Sequence, residues 1–382
     1  MKVRFLEKWS NGIFLGSLKR QKITQYFHSY HLFSYFSEKE HTMEVPENAL
    51  INVNLGAASF IRVRYSDELL NRLLSNIATL GSYDQMQLQA DYYDSVLKGK
   101  QTLQKYLALV FDNYNTINLD YAVVRDIFTT FGKISQILDK AGCSEGFKIK
   151  LQAFCEKMFE TIGWEQAVNE PIDCTLLRPM VLGNLIGCGV ESVISEGCDR
   201  FKAGNYAPQM AAVVMKCFLK SGEKTAMKQL MDKYDETPLG DSAMRASIRG
   251  ALFSQVSSEA NCESFMDWMM SDKLSGSERG WGLSVLPDCA GGNFSNYFSK
   301  VFMPNFSKFH DEYKESQFMF TSLIKSTIGI VSTQEELDTF LKFIEERGIK
   351  EGDKAVAQAK DTAIVNIKVL NDNGNGLKSY FS

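Results

Sequence analysis

Two kinds of hydrophobic pattern divide the chain near residue 65. In the stretch INVNLGAASFIRVRY, residues 51–65, apolar and polar residues alternate on both sides of a Gly-Ala-Ala segment. A period of two is typical of strands that bury one face, so this stretch predicts β-structure. After residue 65, apolar residues recur almost everywhere with a helical spacing. We therefore expect a short β segment followed by a large helical region.

The helical region has a clear start signal. Ser66 is a favourable N-cap residue, and Asp67 and Glu68 suit the first turn of a helix. Many amphipathic segments joined by short breaks are typical of stacked helix pairs. The segments predicted to be helical lie near 66–77, 103–111, 124–138, 147–163, 190–202, 208–220, 222–234, 240–254, 314–328, 334–347 and 353–371.

The predicted fold class is mainly α. No strict period in residue identity is present, so an irregular superhelical array of antiparallel helix pairs, HEAT- or armadillo-like, fits better than a consensus repeat protein. We assign residues 1–65 to a partial β-sandwich and residues 66–382 to the helical domain. An immunoglobulin-type sandwich needs about seven strands in about 100 residues. The first segment is too short for one, and we expect an incompletely covered β edge near residues 1–30.

Charge, apolar runs and cysteine spacing argue against several classes of protein. The net charge is -4 without long runs of one sign, which argues against nucleic-acid binding through a basic face. No apolar run approaches the roughly 18 residues of a membrane span, and the first residues lack the apolar core of a signal peptide. The eight cysteines are scattered without zinc-finger spacing. We expect buried free thiols and favour a cytoplasmic location.

The sequence contains no complete catalytic set. Its four histidines, His28, His31, His41 and His310, belong to no metal-ligand motif, and H-E-x-x-H, G-x-S-x-G and Walker A motifs do not occur. A cysteine–histidine nucleophile pair stays an open, less favoured alternative. The aromatic segment 25–36 is interpreted as the buried face of strands. The Gly-rich NDNGNG at 371–376 is interpreted as a helix terminus or loop, because no strand precedes it.

Two motifs, one near residue 60 and one near residue 180, are more informative. SFIRVRY contains Phe60, Arg62 and Tyr65 immediately before the helical region begins. DCTLLRPMVLGNLIGCG contains Leu177 and Arg178 in an L-L-R-x-x-V-L arrangement.

Two later segments continue the series, with Asn305 in MPNFSKF and Asn366 in AKDTAIVNIKVL. In order and spacing, over about residues 32–382, the four segments resemble the C-terminal region of the zinc aminopeptidases related to puromycin-sensitive aminopeptidase and aminopeptidase N. The chain departs from that family at Ser59, where Gly is usual, and at Phe306, where Trp is usual.

The resemblance implies that catalysis and peptide contact belong to different domains. In complete family enzymes, zinc and peptide cleavage belong to a separate thermolysin-like domain with H-E-x-x-H-x18-E ligands and a G-A-M-E-N-like segment. Neither motif occurs in this sequence, so we assign it no catalytic residue, metal ligand or cofactor. The resemblance also implies a helical bowl that contacts the far part of the peptide. We expect structural roles for the motif residues, with Arg178 paired to a carboxylate.

Three alternative hypotheses for the function follow from these observations. The leading hypothesis is a non-catalytic aminopeptidase-like protein whose concave helical face binds a peptide or a partner protein. The second is a partial zinc metalloaminopeptidase that removes N-terminal residues only together with a catalytic domain. The third is a helical scaffold without a peptide function.

Overall fold

A computed structural model divides the chain into two compact units, Met1–Asn52 and Val53–Ser382. It describes the backbone of residues 2–6, 25–26, 29–30, 40–44, 49–114, 120–254, 265–289, 293–348 and 353–382. Helices dominate the second unit, which confirms the mainly α fold class.

The first unit contains short antiparallel strand pairs. Strand β1 (Lys2–Leu6) pairs with β4 (Glu40–Glu44), and β2 (Gln25–Tyr26) pairs with β3 (Ser29–Tyr30). Each pair forms its own two-stranded sheet. The pairs do not establish the predicted sandwich. The predicted uncovered edge and the aromatic segment with His28 and His31 fall largely outside the described residues.

The second unit is built from helices joined by short turns. They are α1 (Asp67–Leu74), α2 (Ser82–Leu97), α3 (Leu103–Asn113), α4 (Tyr121–Lys140), α5 (Ser144–Ile162), α6 (Ile172–Cys188), α7 (Glu191–Ala203), α8 (Ala211–Lys220), α9 (Ala226–Glu236), α10 (Ser242–Phe253), α11 (Gly276–Cys289), α12 (Phe294–Tyr297), α13 (Met303–Tyr313), α14 (Gln317–Gly329), α15 (Gln334–Glu346) and α16 (Asp353–Phe381). A π-helical turn, Phe298–Phe302, joins α12 to α13. The predicted helices are confirmed, and the Ser66 hydroxyl caps α1 by accepting the Leu69 N–H at 3.4 Å.

Neighbouring helices pack against each other along the chain. Helix α5 packs on α6, and α7 packs on α8. The predicted superhelical curvature stays a prediction. No single helix in the described ranges is both long and apolar enough to cross a bilayer, although the sharply bent pair of α6 and α7 meets those criteria when taken together.

Two hydrophobic cores fill the helical unit. The first lies mainly among α1 to α6 and includes Val369 and Leu377 from the second half of α16. The other lies mainly among α8 to α15 and includes Ala359 and Ala363 from the first half of α16. Helix α16 therefore joins the two cores along its length.

The prediction that NDNGNG forms a helix terminus or a loop is wrong. Residues 371–376 lie inside α16, where Asn373 is buried and its Oδ1 accepts the Leu103 N–H at 2.8 Å. That N–H belongs to the first turn of α3 and has no partner within its own helix. A Cβ atom at Gly376 would contact the amide end of the Gln104 side chain in α3. This segment of α16 therefore packs beside the start of α3 and caps it.

The prediction of strands over residues 51–65 is also wrong. The segment contains a 3-10 turn at Leu55–Ala57 and no strand. Asp84 and Asp91 lie seven residues apart on one face of α2, and they accept the N–H groups of Gly56 at 2.6 Å and Val63 at 2.9 Å. Because side chains take these backbone donors, the donors are not available to a sheet ladder.

The six cysteines whose side chains the structure describes are free thiols, as predicted, and four of them are buried. The six are Cys143, Cys155, Cys174, Cys188, Cys198 and Cys217. Burial raises the pKa of Cys217 to about 12 and that of Cys188 to about 11. These two thiols are therefore protonated at neutral pH and behave as small apolar groups.

We expect Asp91→Ala to release the segment that follows residue 52. Asp91 is buried and also accepts Arg62 Nη1 at 3.0 Å. Losing hydrogen bonds to a charged buried group costs about 2–3 kcal/mol. Hydrogen exchange measured by mass spectrometry should become faster over residues 53–65, and the melting temperature should fall.

The matched control is Asp94→Ala on the same helix. Asp94 pairs with the largely exposed Lys98 at 2.7 Å, and exposed pairs contribute less than about 1 kcal/mol. Equal exchange rates over residues 53–65 in the two variants would show that Asp91 does not anchor the segment.

Candidate functional site

The motif residues of the opening segment do not converge on a site. Phe60 is 99% exposed, whereas Arg62 is paired with Asp91. The Tyr65 hydroxyl accepts the Val53 N–H at 2.9 Å, and burial raises the pKa of this phenol to about 12. Arg62 and Tyr65 therefore hold the segment, and Phe60 points away from the protein.

The later motif residues lie in helices. Leu177 is fully buried in the first core. Asn305 Nδ2 donates to the carbonyl of Val301 at 2.9 Å, within the π-helical turn, and Asn366 Nδ2 donates to the carbonyl of Gly329 at 3.2 Å, where α14 ends. Both amides therefore satisfy backbone acceptors.

Arg178 organises the loop between α5 and α6. Its Nη1 and Nη2 donate to the two carboxylate oxygens of Glu170 at 2.9 and 2.6 Å. Its Nε and Nη2 also donate to the carbonyl of Ile162 at 3.2 and 2.8 Å. Both side chains are buried, at 2% and 7% exposure. The carboxylate predicted to pair with Arg178 is therefore Glu170.

The pKa of Glu170 reflects this pairing. The carboxyl pKa is lowered to about 2, chiefly because Arg178 donates hydrogen bonds to it. The Thr175 hydroxyl at 2.7 Å and the Ala167 N–H at 3.2 Å add further donors. The loop therefore closes around a fixed ion pair.

A small cavity lies beside this pair. It encloses about 130 Å³ between the loop that follows α5 and the loop that follows α7. Both helices end at glycines with positive φ, Gly163 at 54° and Gly204 at 63°, which lets the chain turn sharply there. The polar and aromatic residues of the wall are Trp164, Glu165, Gln166, Arg178, Arg200, Tyr206 and Gln209.

Arg200 connects the two sides of the cavity. Its Nη1 donates to Glu165 in the first loop, and its Nε donates to Glu196, one turn earlier in α7, at 2.7 Å. The guanidinium carbon lies 5.0 Å from the ring centre of Trp164, in cation–π range. Glu165 is 75% exposed, so its contact with Arg200 forms the outer edge of the site.

Several polar groups at the cavity lack a hydrogen-bond partner in the described part of the chain, and two of them belong to Arg178 and Tyr206. A guanidinium has five N–H donors. In Arg178, the contacts to Ile162, Gly163 and Glu170 use four of the five N–H groups, which leaves one N–H of Nη1 without an acceptor among the described residues. The Tyr206 hydroxyl makes no hydrogen bond to described residues, and burial raises its pKa. The cavity can therefore bind a polar group by hydrogen bonding.

The described residues contain no cluster of three or more His, Cys, Asp or Glu side chains that could hold a metal ion. The zinc implied by the family resemblance thus finds no ligand set among them. His310, whose ring lies 6.0 Å from that of Phe306, is separate from the cavity residues and contacts Asp311 at 3.8 Å.

We expect Arg178→Met to lower the free energy of unfolding by about 3–5 kcal/mol, because Glu170 would be left buried without its cation. The double variant Arg178→Met/Glu170→Leu should lose less than the single variant, since it leaves no buried charge. Chemical denaturation measures both. A double variant that is less stable than Arg178→Met would contradict this account.

The same pair should make stability depend on pH. The folded-state pKa of Glu170, about 2, lies below its ordinary value of 4.5. The pair therefore contributes stability that is fully present above the unfolded-state pKa and is lost as pH falls through the folded-state pKa. Between pH 5 and pH 2.5, Glu170→Gln should lose less stability than the unmodified protein. Glu160→Gln, which changes an exposed carboxylate, should retain the full loss.

Comparison with known proteins places these features in a family. The model of the ERAP1-like C-terminal domain matches residues 50–364. Rice (Oryza sativa subsp. japonica) aminopeptidase M1-D is 29% identical over 160 residues, 41% of this chain and 18% of the relative. Rice aminopeptidase M1-A is 27% identical over 222 residues, 54% of this chain and 25% of the relative.

The matched segments cover at most a quarter of the length of these two relatives. The family model, in contrast, covers most of this chain, including the L-L-R segment and the cavity. The resemblance to aminopeptidase C-terminal regions is confirmed: the chain belongs to the family of the ERAP1-like C-terminal domain of M1 aminopeptidases.

Proposed function

We propose that this chain is a non-catalytic aminopeptidase-like protein whose helical unit binds peptides. The observation that carries the proposal is the cavity between the two loops, where buried Arg178 and half-buried Tyr206 offer hydrogen-bonding groups without partners among the described residues. Peptides present carbonyl and N–H groups that can pair with such donors and acceptors. Loops mounted on rigid helices are common positions for binding residues.

The chemistry of the chain favours binding over cleavage. Its sequence contains neither H-E-x-x-H nor a G-A-M-E-N segment. Hydrolysis of the family type needs zinc held by three protein ligands and a base that activates water. We therefore propose that the chain has no zinc and no peptidase activity of its own.

The second candidate function is that of a partial metalloaminopeptidase. It is favoured by the names of the relatives, which are aminopeptidases, and by the small part of their length that this chain matches. In that case the helical unit would bind peptide for a catalytic domain. A helical scaffold without a peptide ligand is the third candidate.

Peptide binding should raise the thermal stability of the protein. A ligand at 100 times its dissociation constant adds about 2.7 kcal/mol to the free energy of unfolding. We expect pools of synthetic decapeptides of varied sequence to raise the melting temperature in a saturable manner. The absence of any shift with all pools would favour the scaffold.

The purified chain should neither hold stoichiometric zinc nor release coumarin from aminoacyl-coumarin substrates. Metal analysis and fluorescence measure the two properties, before and after dialysis against a chelator. Turnover that the chelator abolishes and zinc restores would overturn the non-catalytic assignment.

A further inference from the structure

We propose that the cavity beside Arg178 binds an uncharged carboxamide, the side chain of a glutamine or asparagine residue in a peptide. This inference rests on the proposed peptide-binding function and names the group that is recognised. It follows from the charge, the hydrogen-bonding groups and the size of the cavity.

The charges at the cavity are already paired. Arg178 is neutralised by Glu170, and Arg200 contacts both Glu165 and Glu196. A carboxylate ligand would have to displace an acid from one of the guanidinium groups, and an ammonium ligand would meet both guanidinium groups. Because burying a charge without a partner is costly, a neutral ligand group suits this cavity best.

The unpartnered groups on Arg178 and Tyr206 can each form a hydrogen bond with a ligand. The remaining N–H of Arg178 requires an acceptor, because a buried donor without one destabilises the folded protein. The Tyr206 hydroxyl can either donate or accept, and the exposed carboxylate of Glu165 can accept. A carboxamide supplies both an acceptor oxygen and N–H donors, whereas an apolar side chain supplies neither.

The size of the cavity limits the ligand to one small group. At about 130 Å³ it lies well below the roughly 300–1,000 Å³ of pockets that enclose drug-sized ligands. The Trp164 ring forms one wall, and the flat face of a carboxamide can pack against it. The rest of the peptide would lie outside the cavity, next to the exposed Glu165.

The test uses Trp164 as a reporter in the full chain. The protein contains four tryptophans, so labelling with 5-fluorotryptophan gives few ¹⁹F resonances, and Trp164→Phe identifies the one from the cavity. The probes are the N-acetyl, N′-methylamide derivatives of glutamine, glutamate and methionine, which share a backbone and have side chains of similar length. The glutamine probe should shift the Trp164 resonance in a saturable manner, at least tenfold more tightly than the other two.

Variants then locate the contact. Tyr206→Phe removes a hydroxyl without touching the buried ion pair, and it should weaken binding of the glutamine probe at least threefold. Tyr83→Phe, which changes a 69% exposed tyrosine away from the cavity residues, should leave binding unchanged. Free L-glutamine, which carries two backbone charges, should bind more weakly than the blocked probe.

Several outcomes would overturn the inference. They are no saturable shift of the Trp164 resonance, equal affinity for the three blocked probes, and unchanged affinity in Tyr206→Phe. Free glutamine that binds as tightly as the blocked probe would overturn the assignment to a peptide side chain. If decapeptides stabilise the protein without moving the Trp164 resonance, peptide binding stands and only the carboxamide site fails. If neither effect occurs, both proposals fail.

Discussion

The buried ion pair between Arg178 and Glu170 fixes the geometry on which the cavity depends. One guanidinium group holds the end of α5 through the carbonyl of Ile162 and holds the far end of the following loop through Glu170. Between these two points the loop has little freedom, so Trp164 and Glu165 are presented from a constrained segment. Relative to apolar side chains of similar volume, a pair of this kind contributes little net stability, because desolvation opposes the attraction between its charges. Its contribution is to select one loop conformation.

Elsewhere in the helical unit, buried polar side chains also bind backbone groups. Asp84 and Asp91 hold the segment before α1, and Asn373 caps α3 from the distant helix α16. Glu336 accepts the Ser332 N–H at 3.0 Å at the start of α15 and also pairs with Lys140 of α4. The contacts of Asp84, Asp91 and Asn373 join segments far apart in sequence, as does the Lys140 pair, whereas the Ser332 contact is local. Each of the backbone contacts gives an N–H group a hydrogen-bond acceptor.

These contacts explain which parts of the fold could be predicted from the sequence. Helices such as α4 and α15 have apolar inner faces, and their periodicity revealed them. Helix α2 was missed because much of its buried face is polar, including Gln85, Gln89 and Asp91. The alternating pattern of residues 51–65 was local information, and it could not show that the acceptors for its N–H groups are the carboxylates of α2.

The candidate site was only partly predictable for a similar reason. Arg178 and its need for a carboxylate followed from a motif, but Glu170 precedes it by eight residues in an irregular loop with no pattern that marks it. Arg200 lies in α7 and Tyr206 in the loop that follows it, and only the packing of α7 on α8 next to α6 brings them to the same cavity.

The charge balance of the cavity depends on Glu165, the most exposed of its charged residues. Glu165 is 75% exposed, yet it supplies one of the two carboxylates that contact Arg200. Contacts between exposed charges are weakened by salt and can be replaced by water at small cost. The inner pair, in contrast, is shielded from solvent and keeps its geometry. The cavity therefore combines a base built on the buried ion pair of Arg178 with an outer edge whose ion pair is open to solvent.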